Sequence, residues 1–175
     1  MEILLEILKY TLPSLILFFT VYFFLRTWSK QEEKRRKHEF NMHLKDDILP
    51  VRLQAYERII LFLERIAPES ILMRIKRQGM TAAQLQAELQ NTIRHEYDHN
   101  LSQQTYVSSD AWKMVQMARN HILKIINESA GELKEDASSA TLGKLILEKV
   151  MELKTPPSQV AIDYLKKEVQ ELFLQ

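Results

Sequence analysis

The segment His95-Glu96-Tyr97-Asp98-His99 has the residue types and the spacing of a zinc-protease motif. On a helix, two histidines four residues apart lie on one side and can hold a zinc ion. The glutamate between them then acts as general base on the metal-bound water. The surrounding residues predict a helix, so the spacing has chemical meaning. A zinc-dependent hydrolase that uses residues 95–99 is therefore one hypothesis for this chain.

The neighbouring residues weaken the zinc hypothesis. The longer metzincin motif has a glycine at position 102 and a histidine at position 105, where this chain has Ser102 and Thr105. Asp98 places a charge where zincin motifs have an uncharged residue. On a helical wheel, His95 lies roughly 140° and His99 roughly 100° from the centre of the apolar stripe. Both histidines then project away from the core, so the sequence predicts no metal ligand, no catalytic residue and no cofactor.

Helical wheels also place some polar side chains on the side of the helix that faces the core. Glu96 and Asn100 fall on or beside the apolar stripe of their helix, and Arg52 lies beside the stripe of a helix near residues 49–66. Polar groups that face a core need partners. We therefore predict that Arg52 and Glu96 pair, with Asn100 nearby, as a buried structural network that fixes helix register. The alternative is a polar site for a lipid or small ligand.

The elements that carry these residues are helical. Glycine is scarce, at 3 residues, and the five prolines fall mostly where helices would begin or end. Apolar residues at helical spacing predict helices over about 49–66, 81–103 and 111–128, with further helices on both sides of Pro156-Pro157. The apolar stripe of the first helix leaves Leu61 and Phe62 to one side, and it comprises Leu49, Leu53, Tyr56, Ile60 and Leu63. The stripes of the next two helices are Leu85, Leu89, Ile93, Tyr97 and Leu101, and Ala111, Val115, Ala118, Ile122 and Ile125. Thr81 and Gln84 have the spacing of a capping box, and Ser108, Ser109 and Asp110 offer N-caps for the helix that follows. A boundary is expected at Asp46–Pro50. The fold class is all-α: a helical bundle of about five antiparallel helices.

An apolar segment precedes the bundle. Residues 3–25 read ILLEILKYTLPSLILFFTVYFFL, with no charge from Tyr10 to Leu25. A membrane span needs about 20 apolar residues. Basic residues follow the segment, while only Lys9 precedes its uncharged part, which by the positive-inside rule places the C-terminal domain in the cytoplasm and the N-terminus outside. A buried helix of a soluble protein is the alternative.

The expected organisation is a transmembrane anchor at 1–28, a polar helical stalk at 29–47 and a cytoplasmic bundle at 48–175. The anchor would meet the lipid bilayer through residues 3–28. The charges, 24 basic against 23 acidic, give no case for nucleic-acid binding. Cysteine is absent, which excludes disulfides and thiolate chemistry.

Two segments resemble a known group of proteins: LPVRLQAYERIILFLERI at 49–66 and EYDHNLSQQTYVSSDAW at 96–112. They are similar to an uncharacterised family of single-pass, membrane-anchored helical proteins of Bacteroidota. The resemblance implies a bacterial inner membrane and no known activity. The leading hypothesis is a non-enzymatic scaffold or protein-interaction module, with a protein partner or self-association. A zinc hydrolase and a lipid or small-ligand sensor are the alternatives.

Overall fold

The computed structural model describes the backbone of residues 2–75 and 79–172 and the side chains of residues 15–36, 47–75 and 79–172. This part of the chain contains six α-helices, one 3₁₀ helix and no named strand, which confirms the all-α prediction. The α-helices are α1 (Glu2–Ile66), α2 (Pro68–Ile75), α3 (Ala82–Asn100), α4 (Ser109–Gly131), α5 (Ser139–Met151) and α6 (Pro157–Leu172). The 3₁₀ helix is Leu101–Thr105.

The chain divides into two compact units, Met1–Leu49 and Pro50–Gln175, and we call the second the C-terminal unit. Residues 1–14 of the predicted anchor and residues 37–46 of the predicted stalk lie outside the described side chains. Among the residues that the structure describes, no helix has both the length and the apolar character of a membrane span.

Helix α1 does not end where the sequence predicted. A helix boundary was expected at Asp46–Pro50, but α1 continues through Pro50 to Ile66. A proline inside a helix gives up one backbone hydrogen bond and costs about 3 kcal/mol. Past Pro50 the helix places a dense apolar face in the core, and such burial outweighs a local propensity. The prediction of a helix end was therefore wrong because it used the local residue alone, while the division into two compact units does fall between Leu49 and Pro50.

The core of the C-terminal unit is formed by apolar residues from all six α-helices. In α1 the fully buried face includes Ile59, Phe62 and Ile66, whereas Leu61 remains 49% exposed. The sequence had placed Phe62 off the apolar stripe, so the buried face is rotated relative to that prediction. The predicted stripe of α4 is buried throughout: Ala111, Val115, Ala118, Ile122 and Ile125.

The last turn of α3 differs from the predicted helix over residues 81–103. The α-helix ends at Asn100, and the 3₁₀ helix follows. Because a 3₁₀ helix has three residues per turn, the buried positions change. Gln103 becomes buried, and Leu101, predicted to continue the apolar stripe, is 40% exposed.

Side-chain caps set the starts of three helices. Thr81 and Gln84 form the predicted capping box at the start of α3. Ser108 caps α4 and Ser138 caps α5 through hydrogen bonds from the backbone three residues later. An isolated antiparallel bridge between Thr81 and Ser138 joins the starts of α3 and α5. These local contacts hold α3 in the position that presents residues 94–100.

Candidate functional site

The two motif histidines lie on the surface of α3. His95 and His99 are both exposed, on the side that the helical wheel predicted. The Nε2 atom of His99 lies 3.5 Å from Nη2 of Arg58, on α1. A guanidinium beside an imidazole disfavours a second positive charge there, a bound metal ion included.

The glutamate of the motif is engaged elsewhere. Glu96, with a side chain 16% exposed, accepts from Nη1 of Arg65 and from Nη1 of Arg74, each at 3.4 Å. Arg74 also donates through Nη2 to the carbonyl oxygen of Arg65 at 2.9 Å. Glu96 therefore joins α1, α2 and α3, whereas a general base must face the metal-bound water.

No third metal ligand accompanies the histidines within the described part of the chain. Across those residues, no group of three or more His, Cys, Asp or Glu side chains is arranged to hold a metal ion. A catalytic zinc site has three protein ligands and an open position. The arrangement around His95 and His99 supplies two ligands on an open surface.

The predicted ion pair between Arg52 and Glu96 is not formed. Arg52 donates from Nε to the carbonyl oxygen of Tyr106 at 3.0 Å, and Glu96 pairs with Arg65 and Arg74. The reason is register. Helices α1 and α3 run antiparallel, so Arg65 lies level with Glu96, and Arg52, about 20 Å earlier along α1 at 1.5 Å per residue, lies beyond the end of α3.

Asn100 occupies the buried position that the sequence predicted, at 7% exposure. Its Nδ2 donates to the carbonyl oxygen of Glu96 at 2.8 Å, one turn earlier in the same helix. This bond gives the buried amide of Asn100 a partner within α3. The three predicted residues thus make separate contacts and do not form one network.

A polar cluster that the sequence analysis missed is centred on Glu168 of α6. Its Oε1 accepts from the Tyr56 hydroxyl at 2.5 Å and from the backbone N–H of Ser108 at 3.3 Å. Its Oε2 accepts from the Ser108 hydroxyl at 2.8 Å. The carboxylate therefore lies at the start of α4, where backbone N–H groups and the helix dipole favour negative charge.

The cluster changes the acidity of Tyr56. Burial raises the pKa of Tyr56 to about 12, and the hydrogen bond to Glu168 and its negative charge add to the effect, while Arg52 opposes it. A tyrosine with a raised pKa stays protonated and keeps its hydroxyl as a donor. One signal in the sequence could have located Glu168: it continues the buried stripe Ala161–Leu165 at a spacing of three residues.

The neighbouring helices α4 and α6 each carry exposed apolar side chains. They run antiparallel, because Ser108 at the start of α4 contacts Glu168 near the end of α6. We call Met117, Val160 and Tyr164 the α4–α6 patch; they are 64%, 43% and 38% exposed. Asp110 raises the pKa of Lys113, and Tyr164 adds to the rise, which places Tyr164 close to this flank of α4.

Helix α1 carries the largest exposed apolar surface among the described residues. Its large apolar side chains in this region are 48–68% exposed, and they are Leu15, Ile16, Leu17, Phe18, Phe19, Val21, Tyr22, Phe23, Phe24, Leu25 and Trp28. Successive residues of a helix point about 100° apart, so this surface surrounds the helix. We call residues 15–28 the apolar collar of α1.

Comparison with known proteins adds one relationship. No curated protein and no solved structure matches the chain. A family model described as "Family of unknown function (DUF7935)" matches residues 2–172, which is nearly the whole chain. This agrees with the resemblance to an uncharacterised family, and the chain belongs to the family of unknown function DUF7935.

Proposed function

We propose that this protein is a membrane-tethered, non-enzymatic helical module that binds another protein, or a second copy of itself, at the cytoplasmic face of a bacterial inner membrane. The tether is the segment 3–28, and the C-terminal unit is the binding part. The observation that carries the proposal is the apolar collar of α1.

The collar supports a tether because its exposed apolar surface surrounds the helix. A helix that is apolar on all sides is stable only where lipid or protein covers it. The described part of the uncharged run, residues 15–25, is shorter than the roughly 20 residues of a span, and the rest of the proposed span is residues 3–14. Tyr22 and Trp28 suit the headgroup level of a bilayer.

The charge distribution supports the orientation. Basic residues follow the uncharged run on its C-terminal side: Arg26, Lys30, Lys34, Arg35, Arg36 and Lys37. Before the uncharged run, the sequence has Lys9 with the acidic residues Glu2 and Glu6. An excess of Lys and Arg stays on the cytoplasmic side, so the proposed N-terminus is outside.

The chain has no cysteine, which allows a direct test of both tether and orientation. Two full-length variants, Glu2→Cys and Ser102→Cys, are expressed in bacterial cells and treated with a maleimide that cannot cross the inner membrane. We expect the Glu2→Cys variant to be labelled in intact cells, and the Ser102→Cys variant only after permeabilisation. Recovery of the wild-type chain in the soluble fraction after lysis would refute the tether, and labelling of Ser102→Cys in intact cells would refute the orientation.

A second test addresses the apolar collar itself. A charged residue near the middle of a span costs about 2.5–3.5 kcal/mol, so Leu15→Arg/Phe18→Arg weakens insertion by about 5–7 kcal/mol. We expect the double variant to be lost from the membrane pellet after an alkaline carbonate wash. The control Leu15→Phe/Phe18→Leu keeps the surface apolar and stays in the pellet. Equal retention of both variants would contradict the proposal.

The non-enzymatic part of the proposal rests on the position of Glu96, which is held between Arg65 and Arg74. The binding part rests on the α4–α6 patch. A photo-crosslinking amino acid at Met117 tests it, with Glu135 as a matched exposed position outside the patch. We expect a defined adduct from position 117 that position 135 does not give: a dimer shows self-association and another protein shows a partner. Adducts from neither position, or equal adducts from both, would contradict the patch as the interface.

A lipid or small-ligand sensor is the second candidate function. The Arg52–Glu96 pair that suggested it is not formed, but a groove on α3 and α4 that carries two arginines favours a ligand.

A further inference from the structure

A groove of about 290 Å³ lies on α3 and α4 within the C-terminal unit. Its lining side chains are Gln90, Ile93, Arg94, Arg119, Leu123 and Asn127. Two of the six are cationic, two are carboxamides, two are apolar, and none is acidic. The lining therefore has hydrogen-bond donors and positive charge without a carboxylate to neutralise them.

Arg119 is held in place by its neighbours. Its guanidinium carbon lies 4.1 Å from the centre of the Tyr97 ring, a cation–π contact. Its Nε and Nη2 donate to Oδ1 of Asn120 at 3.2 and 3.1 Å. The Tyr97 ring packs between Phe62 and Trp112, with ring centres 6.0 and 5.6 Å away. Because Arg119 is already positioned, a ligand does not have to order this side chain on binding.

Arg119 has more N–H donors than these hydrogen bonds use. A guanidinium has five N–H donors, and Asn120 accepts from two of its nitrogens. The other cation of the groove, Arg94, is exposed and makes no hydrogen bond or ion pair with a described residue.

Asn127 adds an uncharged donor. Its Oδ1 accepts from Nε2 of Gln86 at 3.0 Å and from Nε2 of Gln90 at 2.6 Å. With the carbonyl oxygen occupied twice, the Nδ2 group of Asn127 is the part of the amide left to meet a ligand. It can donate two hydrogen bonds and cannot accept one from a cationic ligand.

We propose that this groove binds a small molecule that carries an oxyanion, a phosphate or a carboxylate, on a short apolar body. The oxyanion accepts from Arg94, Arg119 and Asn127, because a planar guanidinium matches the oxygen pairs of both groups. The apolar body lies on Ile93 and Leu123. The volume is at the lower end of ligand pockets, about 300–1,000 Å³, which limits the ligand to a small metabolite or a short lipid headgroup region.

The site does not depend on the proposed membrane tether, because every lining residue belongs to the C-terminal unit. The labelling test can refute the tether while the groove still binds its ligand. Equally, the groove can fail to bind a ligand while the tether passes the labelling test. Two arginines at one groove repel each other, and a bound anion relieves the repulsion. Ligand binding should therefore stabilise the folded chain as well as change the surroundings of Tyr97 and Trp112.

Trp112 provides the readout. Trp28 and Trp112 are the two tryptophans of the chain, so the Trp28→Phe variant reports on Trp112 alone. The full-length protein in detergent micelles is titrated with butyl phosphate and with butyrate. Butanol is the control, because it has a similar short apolar chain but no anionic group. We expect saturable fluorescence changes and raised melting temperatures with both anions and neither change with butanol. Dihexanoyl phosphatidic acid shows whether the ligand is a lipid or a soluble phosphate ester. Tighter binding than that of butyl phosphate indicates a lipid headgroup, and equal or weaker binding indicates a soluble ester.

Two variants decide whether the groove is the site. Arg94→Gln removes an exposed cation of the groove, and we expect it to weaken anion binding at least about tenfold, as the loss of a charge-assisted hydrogen bond does. Lys124→Gln removes one positive charge from an exposed position of α4 outside the lining, and we expect it to change affinity less than about twofold. Equal losses of anion affinity in both variants would overturn the proposal. So would the absence of a saturable response to any of the oxyanions at about 10 mM.

Discussion

The hydroxyl of Tyr56 links α1 to α6 and, through Glu168, to the start of α4. Tyr56→Phe removes this hydroxyl and leaves the ring in a position that is 1% exposed. A hydrogen bond to a charged group contributes about 1.5–3 kcal/mol, and Glu168 keeps its two bonds to Ser108. We therefore expect Tyr56→Phe to lower the free energy of unfolding by about 2 kcal/mol at pH 8.

The effect should depend on pH in a defined direction. The pKa of Tyr56 is raised to about 12 in the folded chain, from 10.0 for an ordinary tyrosine. The folded state thus holds the proton more tightly than the unfolded state between these two values. The stabilisation is fully present below pH 10 and is lost as the pH rises through about 12. A shift of about two pKa units corresponds to at most about 3 kcal/mol, and solvent around the half-buried carboxylate reduces this figure.

Urea unfolding of the full-length protein in micelles, followed by Trp112 fluorescence in the Trp28→Phe background, measures this effect. The difference in free energy of unfolding between Tyr56 and Tyr56→Phe chains should shrink from pH 9 to pH 12. Tyr164→Phe removes a more exposed hydroxyl and should change stability by less than about 0.5 kcal/mol. A difference that stays constant over this pH range, or is below about 0.5 kcal/mol at pH 8, would refute the role assigned to the Glu168 cluster.

Three further substitutions test other contacts by the same urea assay. Gly79 has φ +83°, so Gly79→Ala should destabilise the protein by about 1 kcal/mol. Gly131, at the end of α4, has no positive φ and open space around a new methyl group, so Gly131→Ala should be neutral or stabilising. Equal effects of the two substitutions would contradict the backbone argument. Glu96→Gln should lower stability by about 1 kcal/mol at 0.1 M salt and by less at 1 M, because both arginine partners are largely exposed; a salt-independent loss would count against ion pairing. Leu89→Ala empties a position that is 0% exposed and should cost about 2–5 kcal/mol, and a loss under 1 kcal/mol would place Leu89 outside the core.

The sequence predicted the helices best where a residue acts on its immediate neighbours. The capping box of Thr81 and Gln84 and the cap at Ser108 were both identified from residue type and spacing, and both form as expected. Such caps depend on three or four consecutive residues and on no distant contact. The exposure of His95 and His99 also followed from the wheel of one helix.

Local rules failed where packing outweighed them. Pro50 is a helix breaker by type, yet α1 continues through it because the following residues fill the core. The end of α3 tightens into a 3₁₀ helix that exposes Leu101 and buries Gln103, a change of period that apolar spacing does not reveal.

Pairing between helices was decided by the tertiary structure alone. The wheel correctly indicated that Glu96 and Asn100 turn inwards, but Glu96 meets Arg65 and Arg74, and Arg52 meets the carbonyl of Tyr106. A wheel gives the angle of a residue around its own helix and contains nothing about how far a neighbouring helix slides along it.

The composition and periodicity of this chain by themselves determined its all-helical class, its main caps and the outward face of its histidines, because those properties depend on one helix at a time. The three-dimensional packing determined the partners of Glu96, the cluster of Tyr56, Ser108 and Glu168, and the groove with Arg94 and Arg119. Each of these joins residues from different helices. Their distances depend on the register and crossing of those helices, which is a property of the whole core.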